Sequence, residues 1–354
     1  MGLPVISVEF KKLATTAITR STRGTLAVIL QDGTASWASK AYTTQAEVKP
    51  EDFTEANYKI LSRAFQAGPY QVIAVRVGTS GTMEDAQAIL ESLGYNWVCA
   101  VPEGFQAGLV SYVKSLNTAR RVRKVKALVY NQPNANDMHI VSVANANVTL
   151  KDESSPTAMT DYLPRLAGVL AACPLDESVT FAPLEDLAAV ADVSNLDATI
   201  DKGSLCLFQD DDTIRIARGV NTLQTMGADT TEDMKKIAVV EVMDLIHEDI
   251  IRTFRTYYLG KMRNSADNQA LFVADIFAYL TALADETILS KDDTIQVAID
   301  VAAMRAAWEA AGVSTADLTD AQLKKKTFRS SVFVTVQAHI LDAMEDMKLV
   351  FTMA

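Results

Sequence analysis

The C-terminal stretch FRSSVFVTVQAHILDAMEDMKLVFTMA (residues 328–354) decides how the chain is organised. Its first half carries an apolar residue at every second position, namely Val332, Val334, Val336, Ala338 and Ile340. This alternation is typical of a half-buried β-strand. After an interruption at residues 341–346 a second alternating run follows, with Met347, Leu349, Phe351 and Met353 on one face. A strand with no return strand leaves backbone groups unpaired. We therefore expect this run to pair with its own chain or with a neighbouring copy.

The opening residues raise the same question. Apolar and polar side chains alternate there, and Pro4, which cannot donate a backbone hydrogen bond, suits an edge or the start of a strand. The sequence predicts an extended N-terminal arm made of Pro4, Val5, Ile6, Val8 and Phe10. An irregular linker follows.

Strand and helix patterns alternate between residues 25 and 130, which favours a largely parallel sheet covered by helices. Helices are predicted at residues 157–172, where small residues permit close backbone approach, and at residues 184–193. The longest helical pattern covers residues 230–259. A hairpin is predicted around Asp210, Asp211 and Asp212. The fold class expected is mixed α/β and α+β, with extended arms at both ends.

Composition excludes several classes of protein. The 354 residues are 49% apolar and 22% charged, as in ordinary globular proteins, and no run is long and apolar enough to span a bilayer. A net charge of −11 argues against nucleic acid or an anionic membrane as the main partner. One cationic cluster stands out, which we interpret as solvated side chains or as a protein-binding patch: Arg120, Arg121, Arg123, Lys124 and Lys126.

No catalytic, cofactor or metal site can be assembled from the sequence. Cys99, Cys173 and Cys206 lack zinc-site spacing and are interpreted as buried thiols. The three histidines, His139, His247 and His339, do not form a ligand motif. The loop at residues 78–82 (GTSGT) follows a strand and precedes a helix, so it is either a flexible connection or an anion site.

Five stretches taken together resemble the contractile tail sheath proteins of phages and phage-tail-like bacteriocins, especially the shorter sheaths of Gram-positive hosts. They are GLPVISVEF (2–10), LAGVLAACPLDESVTF (166–181), IRIARGVNTLQT (214–225), YYLGKMRNSADNQALFVADI (257–276) and DAMEDMKLVFTM (342–353). The resemblance is weaker over residues 25–130, and it implies that this chain lacks a domain that longer relatives carry as an insertion after the first strands. A sheath motif is implied at Arg218, Gly219, Val220, Asn221, Thr222 and Leu223.

The resemblance implies four parts of the chain: an N-terminal arm and linker (1–22), an outer α/β domain (23–200), an inner domain (201–342) and a C-terminal arm (343–354). It implies a non-enzymatic subunit that polymerises as stacked hexameric rings around a tail tube and contracts. The implied partners are other copies, the tube protein, and baseplate and terminator proteins, in a tail assembled in the host cytoplasm. A non-contractile scaffold and an α/β nucleotide-binding enzyme are the alternatives.

Overall fold

The structure, a computed structural model, describes residues 18–118 and 122–353. These form two compact units. One contains Ser21–Glu248 together with the described residues from Asp342 onwards, and the other contains Asp249–Leu341 with the described residues before Ser21. Arm residues Pro4, Val5, Ile6, Val8 and Phe10, and the cations Arg120 and Arg121, lie outside the described residues.

The strands, in chain order, are β1 (Thr25–Gln31), β2 (Ser39–Tyr42), β3 (Gln71–Val77), β4 (Trp97–Ala100), β5 (Lys126–Tyr130), β6 (Ile140–Val143), β7 (Asn147–Leu150), β8 (Thr157–Ala158), β9 (Leu187–Val190), β10 (Ser204–Leu205), β11 (Leu207–Asp210), β12 (Thr213–Ile216), β13 (Gln296–Ile299) and β14 (Val334–Gln337). The helices are α1 (Glu55–Ala64), α2 (Met83–Leu90), α3 (Gln106–Thr118), α4 (Met159–Ala172), α5 (Leu196–Asp201), α6 (Ile237–Thr253), α7 (Ala266–Asp285), α8 (Val301–Ala310) and α9 (Asp320–Lys325).

The larger unit is built on a seven-stranded sheet with the order β10-β6-β5-β4-β1-β3-β2. Every neighbouring pair is parallel except β2 with β3. Strand β1, an interior strand between β4 and β3, explains the layering, because its residues from Leu26 to Leu30 are all 0% exposed. Leu26, Val28 and Leu30 pack with residues of α1 and α4, whereas Ala27 and Ile29 pack with residues of α2 and α3. Helices on both faces account for the continuous apolar run, and they confirm the predicted mixed fold.

Helix α4 confirms the prediction of close packing by small residues. A Cβ added at Gly168 would lie 2.3 Å from the backbone oxygen of Ala64 in α1. The two helix backbones therefore approach so closely that only glycine fits at this position.

Two predicted helices differ from the structure. Residues 184–193 do not form a helix, because Leu187–Val190 is a strand that pairs antiparallel with β7. The short alanine-rich pattern favoured a helix, but pairing with β7 decides the backbone conformation. The long pattern from residue 230 is divided: a 3₁₀ turn covers Glu232–Lys235, α6 covers Ile237–Thr253, and a π-helical turn covers Phe254–Tyr258.

The predicted hairpin is confirmed as β11 and β12, with Asp211 at the turn in a left-handed conformation (φ 47°). In the smaller unit, β13 and β14 form a two-stranded antiparallel sheet beside α7. The strand predicted before residue 341 is thus present, but it is shorter than the alternating pattern. Among the described residues, 347–353 are not assigned to any strand.

Candidate assembly site: the C-terminal segment and its anchor

The last described residues expose a row of large apolar side chains. The exposed fractions are 88% for Met347, 77% for Leu349, 75% for Val350, 81% for Phe351 and 85% for Met353. Scattered apolar residues are normal on a protein surface, but a contiguous run of this kind marks an interaction site. We call residues 347–353 the C-terminal segment.

An acidic group of residues immediately before this segment attaches it to the larger unit. Glu345 is the centre of the attachment, since its side chain is only 5% exposed. Its Oε1 accepts hydrogen bonds from the hydroxyls of Thr180 (2.5 Å) and Ser178 (3.2 Å). Its Oε2 lies 3.3 Å from Nζ of Lys236 and 3.8 Å from Nε of Arg218. We call this set of contacts the anchor.

Two further ion pairs complete the anchor. Arg218 donates to Asp346 at 2.7 Å, and Lys236 donates to Asp342. The hydrogen bond to Asp346 raises the pKa of the Arg218 guanidinium more than partial burial lowers it. For Lys236, partial burial lowers the pKa, but Asp342 and Glu345 together outweigh it and the pKa is raised. Both cations therefore stay charged, and the point where the C-terminal segment leaves the body is fixed electrostatically.

Of the six predicted sheath-motif residues, Arg218 is the one whose side chain pairs with the anchor acids. Gly219 lies beside it: its N–H donates to Thr180 Oγ1 (2.9 Å) and its carbonyl accepts from the N–H of Ile237 (3.0 Å). A Cβ at Gly219 would lie 2.9 Å from Val179 Cγ2, so the close approach favours glycine. The glycine thus ties the anchor to the first residue of α6.

The remaining motif residues are buried and hold loops together. Val220 (8% exposed) forms an isolated bridge with Lys236, and Leu223 is 6% exposed. Asn221 is fully buried, and its side chain donates to the carbonyl of Met234 (2.7 Å) and accepts from the N–H of Leu223 (3.0 Å). Thr222 is also fully buried, and its N–H donates to the carbonyl of Ile140 (2.9 Å). These contacts therefore hold in place the backbone segments that carry Arg218 and Lys236.

A buried charge network that the sequence did not reveal joins α6 to the sheet. Lys126, at the start of β5, is 1% exposed and pairs with Asp244 and, at 3.2 Å, with Glu241. Arg23 donates to Glu241 at 2.5 Å, and Trp97 Nε1 donates to the same carboxylate at 2.7 Å. The interpretation of Lys126 as a solvated cation is therefore wrong. The sequence signal that could have revealed the network is the spacing of Glu241, Asp244 and Glu248, which lie one helical turn apart in the predicted helix.

Two neighbouring side chains, His139 and Arg123, also pair with acids of α6. His139 is 7% exposed and its Nε2 lies 3.1 Å from Asp244. Burial lowers the pKa of His139, but hydrogen bonds with Asp137 and Asp244 outweigh this, and the pKa is raised. Burial acts to raise the pKa of Asp244, yet Lys126 and His139 hold it well below its usual range. Arg123 is likewise paired, with its Nε 3.1 Å from Glu248.

The other candidates for chemistry have structural roles. In the 78–82 loop, Thr82 caps α2 and its own N–H donates to the Asp85 carboxylate at 2.8 Å, so a protein carboxylate already occupies the helix N-terminus. Burial raises the pKa of the thiols of Cys99, Cys173 and Cys206. Within residues 18–118 and 122–353 no group of His, Cys, Asp and Glu is suited to hold a metal ion. No helix in that part of the chain is long and apolar enough to cross a membrane.

Comparison with known proteins shows the family to which the chain belongs. Residues 229–354 match the phage tail sheath C-terminal domain family. The tail sheath protein of Clostridium phage phiCD119 is 30% identical over 361 residues, covering 98% of this chain and 98% of that protein. The match therefore includes the anchor, the motif and the sheet-bearing body.

Solved structures show the same fold at low identity. The sheath tail protein of Desulfitobacterium hafniense gives a TM-score of 0.69 at 16% identity, covering 84% of this chain and 94% of that one. The anti-feeding prophage helical sheath in its contracted state gives 0.69 at 13% identity, covering 99% of both chains. The full-length likeness to the phiCD119 protein assigns the chain: it belongs to the phage tail sheath protein family, as a structural subunit with the fold of contractile sheaths.

Proposed function

We propose that copies of this chain are linked by exchanged terminal segments into stacked hexameric rings around a tail tube, and that the polymer contracts to drive the tube through a target envelope. The observation that carries this proposal is the C-terminal segment. Its apolar side chains are 75–88% exposed, although the acids just before it are firmly anchored. Such a segment gains stability by adding as a strand to a sheet on another copy.

The smaller unit offers a sheet of the right kind. Strands β13 and β14 form a two-stranded sheet, so each has one edge that no other strand of the described chain covers. Val336 of β14 is 40% exposed. Two-stranded sheets are marginally stable alone, and added strands supply both hydrogen bonds and apolar cover. We propose that the C-terminal segment of one copy and the N-terminal arm of another, through Ile6 and Val8, add to this sheet.

In the polymer, residues 23–200 would form the outer domain and residues 201–342 the inner domain near the tube. The tube protein, baseplate proteins and a terminator protein are the proposed partners, and the particle is assembled in the host cytoplasm. Contraction needs no bound nucleotide in this scheme, because its free energy comes from repacking of the bodies while the exchanged strands keep them linked.

The proposal is tested with Phe351→Asp and a matched control, Thr352→Asp. Both place one carboxylate in the C-terminal segment, but neighbouring residues of a strand face opposite sides. We expect the first variant to remain a folded monomer in sedimentation and circular dichroism, whereas the control forms hollow cylinders visible by electron microscopy. Normal cylinders from Phe351→Asp contradict the role of the segment.

The N-terminal arm is tested separately with Ile6→Asp combined with Val8→Asp. We expect loss of long cylinders again, because both segments are proposed to complete one sheet. Unchanged polymer in sedimentation would confine the linkage to the C-terminal segment.

A further inference from the structure

A cavity in the smaller unit lies next to the proposed acceptor sheet. Its volume is about 440 Å³, within the range of roughly 300–1,000 Å³ that is usual for binding pockets. The π-helical turn supplies Phe254 and Tyr258, α7 supplies Phe272, and the residues leading into β14 supply Ser330 and Val332. Such turns occur frequently at functional sites. The aromatic side chains of the cavity thus lie beside the residues that lead into β14.

The same cavity contains a polar group that lacks a partner. Gln269 is 2% exposed, and its Nε2 donates to Asn264 Oδ1 at 2.6 Å. No donor within the described chain reaches its Oε1. A buried acceptor left without a hydrogen bond is costly. The position therefore favours an occupant that brings an N–H group, as the backbone of an extended segment does.

The rim of the cavity is cationic. Arg263 and Arg329 line it, no acidic residue does, and neither arginine makes an ion pair with another described residue. The whole chain carries a net charge of −11, so this rim is opposite in charge to a second copy taken as a whole. Guanidinium groups also bind well against aromatic faces.

We infer that this cavity receives the side chain of Phe351 from the C-terminal segment of a second copy, an inference that rests on the proposed function. Phe351 is the aromatic residue of that segment and is 81% exposed on its own subunit. The ring packs against the aromatic wall beneath the two arginines, and a backbone N–H of the segment donates to Gln269 Oε1. The cavity thereby fixes the register of the added strand, since a shift by one residue turns Phe351 to the opposite face.

Disulfide trapping in the full-length polymer tests the inference. Phe351→Cys is combined with Ser330→Cys, an exposed residue on the cavity wall, and assembled cylinders are oxidised. We expect a ladder of covalently linked copies in denaturing gels. Lys348→Cys with Ser330→Cys is the matched control, and it should give at most a tenth of the linked product. A ladder from Phe10→Cys with Ser330→Cys instead of the Phe351 pair would overturn the choice of occupant.

A second variant, Ser330→Trp, narrows the cavity without touching the C-terminal segment. We expect the protein concentration needed for polymer formation to rise at least tenfold, while the matched variant Ser314→Trp leaves it unchanged. Normal cylinders from Ser330→Trp, together with no cross-linked product from the Phe351→Cys and Ser330→Cys pair, overturn the inference but leave strand exchange standing. Failure of the wild-type chain to form any cylinders overturns the proposed function itself.

Discussion

The carboxylates of α6 and those of the anchor bind the same kinds of cation in two different environments. Asp244 and its partner Lys126 are almost completely buried, with side chains 6% and 1% exposed. In the anchor only Glu345 is buried, while Asp346 is 79% exposed and its partner Arg218 is 35% exposed. Buried pairs cannot be broken singly without leaving an unpaired charge, whereas exposed pairs are weak and screened by salt. The larger unit is thus held together by buried charges, whereas the C-terminal segment is held by one buried carboxylate, Glu345, and by exposed ion pairs that salt weakens.

The largest effect is expected for Lys126→Met. Removing the cation leaves Asp244 and Glu241 buried with too little positive charge, which costs about 3–5 kcal/mol of unfolding free energy. The loss is measured by urea unfolding, with both proteins carrying Phe351→Asp so that polymer formation does not contribute to the measured stability. Lys59→Met removes a cation from an exposed helical pair with Glu55 and should cost no more than about 0.5 kcal/mol. Equal losses of unfolding free energy in the two variants would contradict the distinction between buried and exposed ion pairs.

A smaller and local effect is expected for Glu345→Gln. The amide cannot compensate Lys236 and Arg218, so the anchor should weaken by about 1.5–3 kcal/mol, the usual contribution of hydrogen bonds to charged groups. Amide hydrogen exchange of residues 342–346 should accelerate while exchange in β1 stays unchanged. Glu177→Gln, at an exposed acid of the same surface, serves as the control. Unaltered exchange in Glu345→Gln would show that other contacts hold the segment.

The pH dependence of stability tests the part of the buried charge network around His139. The raised pKa of His139 contributes stability that is fully present below the unfolded pKa of about 6.5 and is lost as pH rises through the folded pKa. The lowered pKa values of Asp137 and Asp244, which face the same imidazole beside Lys126, act in the opposite sense and lose their contribution as pH falls below about 4. His139→Gln should therefore flatten the decline of urea midpoints above about pH 6.5. An unchanged slope would assign that decline to another group.

The smallest effect is expected for Arg218→Lys. Its ion pair with Asp346 is half-exposed, so the substitution should change unfolding free energy by no more than about 0.5 kcal/mol. The measurement that distinguishes this variant is the salt dependence of amide hydrogen exchange, which should become more sensitive to added NaCl at residues 342–346. A loss as large as that of Glu345→Gln would mean that the guanidinium geometry itself is required.

The sequence by itself determined the elements that depend on local chemistry. The strand–helix alternation, the close packing of α4 and the hairpin at Asp211 follow from apolar period, small residues and turn residues. It also singled out the apolar side chains of Met347, Leu349, Phe351 and Met353, whereas their exposure is known only from the structure. Periodicity shows that a segment has an apolar face, and this is a property of neighbouring residues.

Only the tertiary structure decided which charges meet. Lys126 and Asp244 are 118 residues apart, and Glu345 reaches Thr180 across 165 residues, so no local pattern pairs them. The same applies to residues 184–193, where pairing with β7 overrode a helical pattern. Local propensities amount to a few tenths of a kcal/mol per residue, and burying an unpaired charge costs several. Long-range partners therefore decide such positions, and they exist only once the chain is folded.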